Sequence, residues 1–197
     1  MASNGLEEAK QAFDIEAACI AEGYQYLDEN EFLRAVAALA QAQRIAASGA
    51  GHSGIACRHF AHLMCCIERP ARFIPPSEAT HGGSGYVQKG DVMLLASRGG
   101  KTKELIPIED ICLKKGAIVI CVSEDVKSPL AVNADIVLAM HVTRETDKYN
   151  YQGTTSFTAM NLIFDALQAA LIEVTGFKNE QFALIHPGGA VGEELNK

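Results

Sequence analysis

Positive charge is scarce in this sequence: 17 basic side chains stand against 24 acidic ones, a formal net charge of −7. Extended nucleic-acid binding normally needs a basic face, so that class of function is not expected. Long apolar runs are also missing. Nothing approaches the ~20 residues of a membrane-spanning helix, so no membrane partner is expected. The start, MASNGLEEAK, is polar and acidic and lacks the apolar centre of a secretory signal; the expected compartment is the cytoplasm. The six cysteines (19, 57, 65, 66, 112 and 121) contain no C-x-x-C pair, and most sit in apolar runs, so reduced core thiols are expected. In CRHFAHLMCC, His59, His62 and Cys66 come within reach of one helix face, but a metal needs a closed ligand set, and neither metal nor cofactor is expected. There is no long linker, low-complexity segment or repeat. At 197 residues, 48% of them apolar, the chain suits one domain with a substantial core.

A complete nucleotide P-loop is absent too. The stretch LLASRGGKTKEL holds Gly100-Lys101-Thr102, but G-x-x-x-x-G-K-[ST] needs a glycine five residues before the second, and that position is Leu95. The loop is too short to wrap a triphosphate. A strand end, a serine, two glycines, a lysine and a threonine ahead of an expected helix start at Thr102 still make an anion site, suited to one phosphate.

The periodicity predicts helices over the first ~28 residues, with Ala12, Phe13, Ala17 and Ile20 at helical spacing, and over 31–41, capped by Asp28 or Asn30. Strand and helix signals then alternate: strands at 44–48, 71–75, 91–97, 117–123 and 135–140, and helices over 53–67, 102–116 and 155–175. The last carries Phe157, Met160, Phe164, Leu167, Leu171 and Val174 on one face and stops at Gly176. Apolar strands without alternation, separated by helices, imply a parallel sheet covered on both faces. The fold expected is a three-layer α/β sandwich with a five-stranded parallel sheet, residues 1–43 forming N-terminal helices and 44–197 the sandwich. Ligands in such folds bind beyond the carboxyl ends of the strands, where SGAGHSG, PPSEATHGG and SRGGKT collect.

SGAGHSG, PSEATHGGSG, SRGGKTKE, the run from Glu145 to Thr158, and IHPGGAVG occur in the order and near the spacing of the sugar isomerase (SIS) domain. The pattern over about residues 30–195 resembles the arabinose-5-phosphate isomerase branch, in a short form without the paired CBS modules of longer members. The resemblance implies the same five-stranded sandwich and interconversion of a ketose phosphate and an aldose phosphate. Ser48 to Gly54 match the first loop, giving Gly49, Gly51, His52 and Ser53 as substrate-binding candidates, with His52 where the family usually has lysine. Ser97 to Thr102 match a phosphate loop commonly Ser-x-Ser-Gly-Glu-Ser or -Thr, with Gly99 and Lys101 as departures. Glu145 falls on a family carboxylate linked to catalysis, His186 on a catalytic histidine and His81 on a sugar-pocket histidine. Pro75 stands where relatives carry a histidine that can take zinc, and no such metal is expected.

Aldose–ketose isomerisation through an enediol needs a carbon base, a group that moves protons between O1 and O2, and stabilisation of the oxyanion. On that basis Glu145 is the expected base, with His186 acting on the oxygens. Ser53, Ser97 and Thr102 are expected to donate hydroxyls to phosphate or sugar, with the backbone of Gly99, Gly100 and Lys101. Thr154, Thr155 and Ser156 open the last long helix as further phosphate binders, and Glu78 and His81 bind sugar hydroxyls. The histidine of HPGG can reach a neighbouring subunit in this family, and the N-terminal helix must bury its apolar stripe, so a homo-oligomer, dimer or tetramer, is expected. His52, Gly99 and Lys101 motivate an alternative: a phosphosugar-binding or sensing module without turnover.

Overall fold

The structure is a computed structural model describing residues 4–197, so the first three residues of the polar start lie outside the described residues. Five strands, β1 (Ile45–Gly49), β2 (Ala71–Phe73), β3 (Val92–Ala96), β4 (Ile118–Ser123) and β5 (Ile136–Ala139), form one sheet in the order β2-β1-β3-β4-β5. Every pairing is parallel. The period-2 alternation of a strand sends Ile45, Ala47, Val92, Leu94, Ile120 and Val122 to one core and Ala46, Met93, Leu95, Val119 and Cys121 to the other. Both faces are therefore apolar, which is why these strands read as continuous hydrophobic runs.

The first face is covered by α1 (Leu6–Gly23), α2 (Glu29–Gln41), α3 (Gly51–Cys66) and α7 (Thr155–Thr175). The second is covered by α4 (Pro76–Ala79), α5 (Ile106–Lys114) and α6 (Pro129–Asn133). Two short helices, α8 (Asn179–Ile185) and α9 (Gly189–Leu195), close the chain. Asp28 caps α2 by accepting from the backbone N–H of Asn30 and Glu31 at 2.8 and 3.1 Å. Gly176, at φ 66°, ends α7 in the left-handed conformation that glycine tolerates. By length and composition α7 could cross a membrane. Here it packs Met160, Phe164, Leu167 and Leu171 into the first core.

Several details depart from the sequence reading. The helix expected from Thr102 begins at Ile106. Pro107 is tolerated only in a first turn, because deeper in a helix its ring would clash with the preceding turn. Residues 101–105 are therefore loop, and the anion site expected there does not sit at a helix N-terminus. In α1, Cys19 is buried while Phe13 and Ile20 stay 80% and 49% exposed; the helix packs along α7 through a different stripe, with Gly23 close to Leu162. On α7, Val174 is exposed. Helices α4, α6, α8 and α9 were not anticipated, since four to seven residues carry too little periodicity to register.

Candidate functional site

The chain runs from β1 through α3 to the edge strand β2, then recrosses to β3 on the other side of β1. That reversal opens a crevice beyond the carboxyl ends of β1 and β3, the usual ligand position in open parallel sheets. A cleft of about 810 Å³ lies there, lined by Gly49 and Gly51 after β1, Phe73 at the end of β2, Glu78 and His81 in and after α4, and Glu104 and Pro107 before and within α5. Arg58, from the second turn of α3, also lines it.

Glycine is required at the start of α3. A Cβ on Gly49 would come within 2.9 Å of the Ser53 backbone, and Gly51 adopts φ 56°. The helix start thus folds back tightly on the strand end. Ser48 is buried and donates to the carbonyl of Ile74 at 2.7 Å, tying the tips of β1 and β2 together. Ser53 is half-buried at the base of the loop, and the exposed His52 packs on Gly153, which brings the first loop against the segment preceding α7.

The loop after β3 has the character of an anion nest. Ser97 Oγ and Thr102 Oγ1 are 2.8 Å apart. The Gly100 N–H closes a turn on the carbonyl of Ser97. Among the described residues, the backbone N–H groups of Gly99, Lys101, Thr102 and Lys103 donate to no protein acceptor. Gly100 sits at φ 60°, and a Cβ there would strike the Ser128 hydroxyl, whereas Gly99 faces open space. Gly100→Ala is accordingly expected to lose more than ~1 kcal/mol of stability and inorganic-phosphate affinity with it, while Gly99→Ala changes the fold little. Thermal melts with and without phosphate check both. The Lys101 ammonium pairs with Asp125 at 3.1 Å and is 69% exposed. The anion beside Lys101 is thus the protein's own, and Asp125 is held below the usual carboxylate range mainly by that bond.

Glu145 is 1% exposed. Its Oε1 accepts from Arg98 Nη1 at 2.6 Å. Its Oε2 accepts from Thr154 Oγ1 at 3.2 Å and from the Ser156 N–H at 3.1 Å. Asn150, a non-glycine residue at φ 62°, accepts from the Glu145 N–H at 2.6 Å. Thr154, Thr155 and Ser156, expected at the phosphate, stand at the start of α7, where the Glu145 carboxylate occupies the positive end of the helix; among the described residues the hydroxyl of the buried Thr155 has no partner. Arg98, which no sequence signal singled out, also donates to Glu124 at 2.9 Å and joins the β4 and β5 ends to this network.

His186 lies elsewhere. It ends α8, with its ring 4.9 Å from that of Phe182 and its buried Nδ1 without a partner among the described residues. Gln181 of α8 donates to Glu68, just beyond the far end of α3. The 21 residues of α7 span about 30 Å between the two ends of the sheet, so one copy of the chain does not bring His186 to the cleft. The candidate metal residues are also dispersed: His62 Nε2 meets Cys66 Sγ at 3.6 Å, and His59 faces Asp165 at 3.7 Å. Among the described residues no group of three metal-ligating side chains forms. Cys57, Cys112 and Cys121 are buried thiols that desolvation pushes up to about 12, 11 and 12; Cys65 is exposed.

The SIS domain model matches residues 38–170. Arabinose 5-phosphate isomerase KdsD of Yersinia pestis is 35% identical over 191 residues, 96% of this chain and 58% of the relative. KdsD of Escherichia coli K12 is 32% identical over 189 residues with the same coverage. The chain thus spans 58% of the length of these curated relatives. Among solved structures, a Listeria monocytogenes protein described as a sugar-phosphate isomerase superposes with a TM-score of 0.90 at 36% identity, covering 93% of this chain and 96% of that one. An Escherichia coli CFT073 protein in complex with arabinose 5-phosphate has a TM-score of 0.88 at 28% identity, covering 95% of this chain and 100% of that one. With the switch-point cleft, the glycine loops and the family match over 38–170, the chain belongs to the SIS domain family.

Proposed function

We propose that the protein is an aldose–ketose isomerase of a phosphorylated pentose, interconverting a ketose phosphate and an aldose phosphate of the ribulose 5-phosphate/arabinose 5-phosphate type. The observation that carries this reading is the set of N–H groups at Gly99, Lys101, Thr102 and Lys103 that have no acceptor among the described residues, adjoining a cleft that holds the carboxylates of Glu104 and Glu78 and the imidazole of His81. The nest, with Ser97 and Thr102, binds one phosphate and so orients a short sugar chain along the cleft. Relatives named arabinose 5-phosphate isomerase and the solved complex with arabinose 5-phosphate support the same ligand class.

In the ketose-to-aldose direction a base takes the proton from C1. The freed pair forms the C1–C2 double bond, and the carbonyl pair moves onto O2. A proton then passes from O1 to O2, and C2 is reprotonated to leave the aldehyde at C1. Glu104 is the base in this proposal, because it is exposed in the cleft, while both oxygens of Glu145 are engaged. Glu78 and His81 hold sugar hydroxyls. His186 serves oxygen proton transfer from a second copy of the chain in a homo-oligomer. Leu184, Ile185 and Val191 around it are 77%, 43% and 53% exposed, apolar surface that such a contact would cover. Six free thiols suit a reducing compartment, the cytoplasm.

The test is incubation in heavy water with ribulose 5-phosphate or arabinose 5-phosphate, followed by mass spectrometry for deuterium at the exchanging carbon. Exchange is expected in the wild type and a fall of about 10²–10⁴-fold in Glu104→Gln. Exchange that survives Glu104→Gln but not Glu145→Gln returns the base to Glu145. Saturable binding without exchange for either sugar replaces the isomerase with a sensing module.

A further inference from the structure

Arg58 has no place in the chemistry so far, yet it is the cation that lines the cleft. Five other cationic side chains are paired with acids of the protein itself: Arg34 with Glu31, Arg44 with Asp91, Arg98 with Glu124 and Glu145, Lys101 with Asp125 and Lys114 with Asp110. The Arg58 guanidinium makes no hydrogen bond or ion pair within the described residues. Its guanidinium instead lies 4.1 Å over the ring of Phe73. That ring ends β2 and also stands close to Gly54 of α3. Stacking on an aromatic face holds the group in place and leaves its five N–H donors unspent.

We infer that Arg58 holds the reacting end of the substrate, its guanidinium bridging O1 and O2 of the enediolate; the catalytic part of this inference rests on the isomerase reading. Position separates this role from phosphate binding. The nest residues Gly99 to Lys103 do not line the cleft, whereas Arg58 shares it with Glu78, His81 and Glu104, the groups that can move protons. The phosphate end is thus held by N–H groups and hydroxyls, and the cation lies at the end where charge develops during reaction. Two adjacent oxygens of a cis-enediolate match the planar fork of a guanidinium. Arginine also stays charged at any pH the protein meets, so the stabilisation does not titrate away.

Two phosphorylated probes read the site whether or not turnover occurs. 5-Phosphoarabinonate carries a carboxylate at C1 that mimics the charge and planarity of the enediolate; arabitol 5-phosphate carries a hydroxyl there. By titration calorimetry the wild type is expected to bind the acid at least ~10-fold more tightly, the value of one charge-assisted contact. Arg58→Ala is expected to erase that preference without weakening arabitol 5-phosphate, and Arg58→Lys to keep part of it. In the exchange assay Arg58→Ala should lower the rate about 10²–10³-fold, as for loss of an oxyanion donor. A wild type indifferent to the C1 group overturns the assignment, as does a preference that survives Arg58→Ala. An alanine variant that weakens both probes equally also overturns it, and places Arg58 at the phosphate. A clear Arg58-dependent preference with no exchange leaves the anion subsite standing and removes the isomerase reading alone.

Discussion

Replacing Arg98 with methionine is expected to destabilise the protein by about 3 kcal/mol, since removing one partner of a buried pair strands the other charge out of water. Glu145 is that stranded charge: it is 1% exposed, against 33% for the Arg98 side chain. The hydrogen bonds from Thr154 and Ser156 remain, which keeps the loss at the low end of the range for buried pairs. Pairing Arg98→Met with Glu145→Gln should recover most of it, because the neutral amide needs no counter-charge. Urea denaturation of the two variants and the wild type decides the matter. A single variant within ~0.5 kcal/mol of wild type, the scatter of ordinary surface changes, would show that the network does not hold α7 in place.

Glu109→Gln should act in the opposite sense, and its effect should depend on pH. Glu109 lies on α5 in the second core, 1% exposed, with no hydrogen-bond partner for Oε1 among the described residues. Burial pushes its carboxyl up to about 7 from 4.5, against a smaller opposing pull from Asn133. The folded protein therefore holds this proton more tightly than the unfolded chain does. The associated stability is fully present below pH 4.5, falls as pH rises toward 7, and stays lost above that. The total is on the order of 3 kcal/mol, from 1.36 kcal/mol per pKa unit. Glutamine cannot ionise, so the variant should match wild type near pH 4.5 and exceed it at pH 8. Equal unfolding free energies for the two proteins at pH 8, or a gap of the same size at both pH values, would mean that Glu109 ionises in the fold without cost.

The readable and unreadable parts of the site divide by the range of the interactions. SGAGHSG and SRGGKT announced turns because glycine adopts the left-handed backbone of Gly51 and Gly100 at least cost, a constraint confined to a few residues. Arg58 and Glu104 announced nothing. One is an ordinary helix residue and the other an ordinary loop residue, and each becomes a cleft group only when β1, β2 and β3 are set side by side. Glu145 was singled out, but its condition depends on Arg98, 47 residues earlier, and on the first turn of α7. His186 was expected near the sugar with reach into a neighbouring subunit, and α7 separates it from the cleft of its own chain.

From the sequence alone came the parallel α/β sandwich, its five strands and the loops that would face a ligand, because periodicity, apolar runs and glycine positions act over a turn or a strand. Only the tertiary structure decided which charges are spent inside the protein, Lys101 on Asp125 and Arg98 on Glu145, and which is left facing the cleft, Arg58. Charge pairing depends on distances between elements far apart in the chain, and no local pattern of residues encodes those distances.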